Sequence, residues 1–186
     1  MDTTAVIQML LHGNQLKRTV RTGWVYSGVP SPENVAAHSY GVCYSLLVLA
    51  QLIDEEIDLG HALALAVIHD LPEGVTSDIP SPAWRMIPGT VKGDLEEVVM
   101  DKIVAGQAWA EPLRALWAEM NADETAEAHL VHDADKIDMF LQAYKYERQT
   151  GNRDIARFWD KYHTFHYEQS QAIYDTLRQW REAEGL

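Results

Sequence analysis

The stretch HALALAVIHDLPEGVTSDIPSP, residues 61–82, joins an apolar helix to a loop that is rich in proline and carboxylates. Leu65 and His69 lie four residues apart, which is the spacing of neighbours on one helix face. Pro72 is expected to end the helix, because proline lacks the backbone N–H that a helix interior requires. The sequence therefore predicts that the pair His69-Asp70 lies at a helix end, beside a loop.

Helical periodicity of the same kind runs through the rest of the 186 residues, and no useful length of chain alternates like a strand. The predicted fold class is all-α, a compact helical bundle, and the length is typical of one domain that spans residues 1–186. The stretch 74–93 contains three prolines and three glycines and is predicted to be a loop. The expected helices cover about 2–12, 31–54, 61–70, 94–106, 111–120, 123–149, 153–160 and 163–183.

Two more polar residues are expected at the core beside His69-Asp70. His38 lies on the apolar face of the second helix, and Asp135 flanks the apolar stripe of the helix 123–149. Buried charges need partners, and two imidazoles with two carboxylates suit one divalent metal of the Mn, Fe, Co or Zn type. The alternative is structural: hydrogen-bonded core histidines, with Asp70 capping a turn and Asp135 in a salt bridge.

Composition excludes several kinds of partner. The formal net charge of −13 repels polymeric nucleic acid and anionic membranes, whereas local cations can still bind a small phosphorylated molecule. The densest basic cluster is Lys17, Arg18 and Arg21. The single cysteine, Cys43, excludes an internal disulfide and fits a reducing compartment. The start MDTTAVIQML is a poor signal peptide, and no stretch approaches the roughly 20 apolar residues of a membrane span, so we expect a soluble, cytoplasmic protein.

A second dipeptide of the same type, His132-Asp133, follows His129 in the long helix. His129 and His132 stand three residues apart and could clamp a metal on one helix face. The surrounding sequence is ordinary helix with no visible turn that would place an acid nearby, so we expect this pair to be inert. The remaining histidines belong to no visible cluster; they are His12, His61, His163 and His166.

The chain resembles the HD-domain metal-dependent phosphohydrolases, and within them the branch of 5′-deoxynucleotidases. The resemblance covers about residues 15–145. It is carried by RTGW (21–24), ENVAAH (33–38), HDLPE (69–73), SDIPSP (77–82) and AD (134–135). Ser77 stands where that branch usually has glycine, which we expect to stiffen the loop that presents Asp78.

The resemblance implies an enzyme that hydrolyses (deoxy)ribonucleoside 5′-monophosphates to nucleoside and phosphate, with one metal held by the four donors. Arg21 is expected to bind phosphate, Glu73 to orient or deprotonate the attacking water, and Asp78 to protonate the leaving 5′-oxygen or hold the sugar. Trp24 is expected to form a wall beside the sugar that disfavours a 2′-hydroxyl. The backbone around three further residues is expected to line the pocket: Ile79, Pro80 and Ser81.

The chain beyond about residue 150 contains no motif that we can match to the branch. The family and the apolar positions of the last helix indicate a homodimer. Those positions are Ile173, Tyr174, Leu177 and Trp180.

Other functions of the same family are cyclic-nucleotide phosphodiesterase, triphosphohydrolase and alarmone hydrolase, together with related dinuclear oxygenases. Dinuclear members need well-separated histidines between the His-Asp pair and the last Asp, and here that interval contains only His129 and His132. A triphosphate would call for more basic residues than Arg18 and Arg21. A non-enzymatic helical interaction module is the other alternative; the presence of carboxylates suited to catalysis beside the four donors counts against it.

Overall fold

Helices account for nearly all regular structure in the computed structural model, which describes residues 2–88 and 90–186. The predicted all-α fold is confirmed, and within the described residues the only strand-like pairing is a single bridge between Val20 and Asn34. Two 3₁₀ segments, Ala108–Ala110 and Arg153–Phe158, join longer elements. The α-helices are α1 Thr3–Gln15, α2 Thr22–Tyr26, α3 Val35–Leu49, α4 Leu59–Ile68, α5 Glu73–Thr76, α6 Ser81–Trp84, α7 Thr90–Val104, α8 Glu111–Ala122, α9 Ala126–Thr150 and α10 Glu168–Ala183.

Local capping explains where the helix borders differ from the sequence prediction. The second predicted helix, α3, begins after Asn34, whose side chain accepts a hydrogen bond from the Ala37 N–H, and not at Ser31. The residues directly before Asn34 are not helical, and the Arg21 N–H donates to the Glu33 carbonyl there. The loop expected at 74–93 contains α6 and includes parts of α5 and α7, and the short helix α2 was not predicted at all.

The central element is α9, which packs against α3, α4, α8 and α10. Its side chains Leu130, Ala134 and Ile137 are buried, as the predicted apolar stripe requires. A second group of buried side chains joins α1, α4, α7 and α8, and includes Leu16 and Met100. Because α3 and α4 lie against α9, polar residues on their inner faces meet at one place.

No helix within 2–88 or 90–186 combines the length and the apolar character that crossing a bilayer requires.

Candidate metal centre

Two buried imidazoles point their Nε2 atoms at one space between α3, α4 and α9. His38 of α3 is fully buried, and its Nδ1 lies 2.8 Å from Oδ2 of Asp138 on α9. His69 directly follows α4, and its Nδ1 lies 2.7 Å from the carbonyl oxygen of Ala66. In each ring the Nδ1–H donates a hydrogen bond, so Nε2 carries the lone pair when the ring is neutral. Neither Nε2 has a hydrogen-bond partner among the described residues, although both atoms are buried.

Two carboxylates complete this group. Asp135 of α9 places Oδ1 3.1 Å from Nε2 of His38, and Asp70 places Oδ2 3.2 Å from Nε2 of His69 and 3.8 Å from Nε2 of His38. Adjacent ligands about 2.0–2.2 Å from one transition metal lie roughly 2.8–3.6 Å apart, from the octahedral to the tetrahedral limit, and only the 3.8 Å separation is slightly longer. The spacing, the two unpartnered Nε2 atoms and the nitrogen–oxygen donor set therefore fit a divalent metal.

The charges of the donors are strongly interdependent. Burial alone would raise the pKa of both carboxyls, but interactions with neighbouring basic groups hold the pKa of Asp70 and of Asp135 well below the usual range. For Asp70 the groups are chiefly His69 and Arg21, and for Asp135 chiefly Lys136. Both carboxyls are consequently anionic, which is the form that binds a cation.

Asp138 was not predicted from the sequence, although it follows Asp135 by three residues on the same helix. Its approach to His38 depends on Gly41 of α3, where a Cβ atom would collide with the Asp138 carboxylate. The pair Gly41 and Asp138 thus sets the tautomer and the orientation of the His38 ring.

A cavity of ≈ 230 Å³ opens above Asp70 and Asp135. Three cationic side chains reach it, and only Arg21 was predicted; Lys92 and Lys136 were not. Burial alone would lower the pKa of Arg21, but the surrounding carboxylates raise it above its ordinary value. The remaining lining residues are Gly23, Trp24, Glu73, Asp78, Ile79, Pro80, Trp84, Met139 and Phe158. The cavity therefore combines an anionic floor with cationic walls.

Glu73 is the first residue of α5 and is 9% exposed. Its Oε2 is buried and has no hydrogen-bond partner among the described residues. Burial and the nearby carboxylates of Asp70 and Asp78 raise the pKa of Glu73 to about 9. The side chain therefore carries a proton at neutral pH in the metal-free protein.

Asp78 anchors the start of α2. Its Oδ2 accepts a hydrogen bond of 2.6 Å from the Thr22 N–H, and the Thr22 hydroxyl donates to the Asp78 carbonyl. Ser77, just before it, has φ 61° and ψ 163°, a conformation that is essentially restricted to glycine and costs other residues about 1–3 kcal/mol. The strained backbone of Ser77 and the hydrogen bonds to Thr22, which follows Arg21, thus hold Asp78 in place.

Trp24 lines the cavity but is 1% exposed, so only an edge of the ring reaches it. Its Nε1–H donates to Glu33 Oε1 at 3.0 Å, and its ring packs at 4.3 Å, centroid to centroid, on Phe158. Phe158 belongs to the segment beyond residue 150 that matched no motif, and no sequence signal indicated it. Ser81 begins α6, and its side chain lies outside the described residues.

The two residues of the second dipeptide, His132 and Asp133, have different partners. Asp133 is buried, and its carboxylate accepts hydrogen bonds of 2.9 and 3.0 Å from the backbone N–H groups of His166 and Tyr167, which lead into α10. The expectation that no acid lies near His129 and His132 is wrong, because the turn between α8 and α9 brings Asp123 to them.

The fold and the four donors define an all-α protein with a candidate mononuclear metal centre. The chain belongs to the HD-domain family: a family model described as HD domain matches residues 13–176, which extends past the last motif recognised in the sequence.

Several relatives and solved structures are similar over most of the chain. The human protein named 5′-deoxynucleotidase HDDC2 is 37% identical over 77% of this chain and 69% of its own length. The protein named 5′-deoxynucleotidase hdd1 from Schizosaccharomyces pombe is 32% identical over 78% of this chain and 74% of its own length. A crystal structure of a Pyrococcus horikoshii protein superposes with a TM-score of 0.75 at 35% identity, covering 93% of this chain and 96% of that one.

Metal binding is expected to release a proton from His38. Burial and Arg21 lower the pKa of His38, but the adjacent carboxylates of Asp135 and Asp138 outweigh them and raise it to about 9. A metal binds only the neutral imidazole, so affinity should rise about tenfold per pH unit from about pH 7 to about pH 8.5. Calorimetric titration of the metal-free protein with Mn²⁺ at several pH values measures this slope.

Asp138→Asn is the matched variant, because it removes one of the carboxylates that raise the pKa of His38. Its slope over the same range should be smaller. An affinity of the wild-type protein that does not change with pH would contradict the raised pKa of His38.

Proposed function

We propose that this chain is a metal-dependent phosphomonoesterase that hydrolyses deoxyribonucleoside 5′-monophosphates to nucleoside and phosphate. The observation that carries the proposal is the pair of unpartnered Nε2 atoms beside two anionic carboxylates, at the floor of a cavity with cationic walls. Membership of the HD-domain family and the names of the relatives, 5′-deoxynucleotidases, support it.

Four residues would hold the metal: His38, His69, Asp70 and Asp135. A divalent ion of the Mn, Fe, Co or Zn type supplies Lewis acidity toward a phosphate oxygen and lowers the pKa of a bound water. His38 and His69 offer neutral nitrogen to it, and the two carboxylates balance its charge. Removal of this centre should therefore remove activity without unfolding the bundle.

The cations of the cavity wall bind and orient the phosphate dianion. Arg21 lies 3.5 Å from Oδ2 of Asp70, and Lys136 Nζ lies 2.6 Å from Oδ2 of Asp135. Their positions beside the donors support binding of the phosphate over the metal ligands, and a guanidinium can bind two phosphate oxygens at once. Lys92 adds a third cation from α7. These local charges overcome the field of a chain whose net charge is −13.

Glu73, the buried carboxyl that holds a proton near neutral pH, donates that proton to the leaving 5′-oxygen and is reprotonated by the attacking water. Asp78 holds the loop 77–80 against α2 and so positions Arg21 and the sugar side of the cavity. Trp24, fixed by Glu33 and Phe158, forms a rigid wall that disfavours a 2′-hydroxyl. Ile79, Pro80 and Ser81 are proposed to border the nucleoside.

A hydrolysis screen tests the activity. The metal-free full chain is reloaded with Mn²⁺, Co²⁺, Fe²⁺ or Zn²⁺, and phosphate release is measured from deoxyribo- and ribonucleoside 5′-mono-, di- and triphosphates. We expect release from the monophosphates, faster for the deoxy forms. Asp70→Ala should lose the metal of this centre and the activity while far-ultraviolet circular dichroism stays unchanged, and Asp160→Ala, exposed on the C-terminal segment, should behave like the wild type.

The two parts of this proposal fail separately. Activity that survives in Asp70→Ala would refute the metal assignment. A wild-type protein that retains metal but hydrolyses no monophosphate would refute the substrate class.

Glu73→Gln should lower kcat by about 10²- to 10⁴-fold, because an amide cannot exchange a proton in the reaction. Metal content should not change, since Glu73 is not one of the four donors. Glu97→Gln, on the 59% exposed side chain of Glu97 in α7, is the matched control. A Glu73→Gln enzyme within a few-fold of wild-type kcat would assign the proton transfer to another group.

We also propose that residues 1–186 act as one HD domain and that the chain forms a homodimer in the cytoplasm. Tyr174 and Leu177, which we predicted at the contact, are buried in the core, but Trp180 is 58% exposed. Together with Leu141 and Ile173 it lines an apolar groove of ≈ 400 Å³. Cell fractionation of a tagged chain tests the location.

Trp180→Glu should convert the dimer to a monomer, because a carboxylate at the contact would lose its water without gaining a partner. Light scattering of the purified chain measures the mass, and Met86→Glu, at an 87% exposed position, is the control. A wild-type protein with the mass of one chain would refute the dimer.

A further inference from the structure

A second group of histidines converges on Asp123 and takes no part in the centre described above. His129 and His132 lie on α9, and His166 lies in the segment that leads into α10. Their Nε2 atoms lie 3.9, 3.6 and 3.4 Å, respectively, from Oδ1 of Asp123. We name these four residues the Asp123 cluster; none of them lines the catalytic cavity.

Long-range packing assembles this cluster. Asp123 ends α8 in the left-handed conformation, with φ 53°, and turns the chain so that its side chain meets the first turns of α9. Asp133 holds the backbone N–H of His166 at 2.9 Å, which brings the third histidine to the same place. Three separate elements thus contribute donors at one point.

The carboxylate oxygen at the centre of the cluster is unsatisfied. Oδ1 of Asp123 is buried and has no hydrogen-bond partner among the described residues, although the side chain as a whole is 40% exposed. The Nε2–H groups of His129 and His132 are directed instead to the carbonyl oxygens of Asp123 and Met120, each at 2.9 Å. An anionic oxygen surrounded by three imidazoles but bonded to none is costly, and a cation between them would relieve that cost.

The separations approach those of a tetrahedral metal site. Donors about 2.0–2.1 Å from zinc lie roughly 3.3–3.4 Å apart, and the donor atoms of Asp123, His129 and His166 lie within 4.8 Å of one another. To bind zinc through Nε2, the rings of His129 and His132 must turn away from the carbonyl oxygens that they now contact. The rings of His129 and His166 now stack at 4.3 Å with an angle of 9°, and one must rotate because a metal lies in the plane of the imidazole that binds it. His166 can do so, since its side chain is 36% exposed.

We propose that Asp123, His129, His132 and His166 form a second site, which binds zinc and is structural. Three imidazoles and a carboxylate suit zinc better than Mg²⁺ or Ca²⁺, which prefer oxygen. Four protein donors fill the tetrahedron and leave no position for a substrate, as in structural zinc sites. The ion ties the end of α8 and the segment before α10 to α9.

Zinc stoichiometry tests the proposal. The chelator-treated full chain is dialysed against Zn²⁺ and its metal content is measured by mass spectrometry. The wild-type chain should bind two zinc ions, whereas Asp123→Asn and His166→Ala should each bind one and keep the phosphatase activity. Asn tolerates the left-handed conformation of Asp123, so this variant keeps the turn. His12→Ala, which alters a histidine of α1, should still bind two.

The Asp70→Ala chain separates this site from the catalytic one. It should lose activity yet still bind one zinc ion, and zinc should raise its Tm; adding His166→Ala should abolish both the binding and the shift. The proposal is overturned if Asp70→Ala binds no zinc, or if Asp123→Asn and His166→Ala bind as much zinc as the wild type.

Discussion

The hydrogen bond between His38 Nδ1 and Asp138 joins α3 to α9 at the point where every other feature of the centre converges. It fixes the ring of a fully buried histidine, and it exists only because Gly41 leaves room for the carboxylate. With Nδ1 engaged, Nε2 faces Asp135 and the space shared with His69. The packing of α3 against α9 thereby fixes the positions of the donor atoms. The centre therefore depends on a rigid core beneath it.

Acidic and basic side chains both line the cavity. Nearby carboxylates raise the pKa of Glu73, so that it keeps its proton. Three basic side chains, Arg21, Lys92 and Lys136, line the same cavity. The same environment keeps Asp70 anionic and Glu73 protonated, although they are only three residues apart. Two carboxyls in one site therefore have different chemical roles because their neighbours differ.

The sequence predicted what depends on local spacing. Helical periodicity indicated the all-α fold, and motif spacing selected the four donors that the structure brings together. Residues that act across elements were missed: Asp138 reaches His38 over a hundred positions, and Phe158 reaches Trp24 from a segment without a motif. Asp123 was missed because a turn, which periodicity does not describe, carries it to the histidines of α9.

The segment after α9 has a consequence for what a shortened chain would retain. All four proposed donors lie at or before Asp135, whereas Phe158 forms part of the cavity wall and Arg181 joins α10 to α9 through Glu147, with contacts of 2.8 and 2.9 Å. Domains generally fold as units, so the donor residues alone do not make a centre. The last helix therefore matters to the proposed metal centre although it supplies no ligand, because it packs on the helix that carries Asp135 and Asp138.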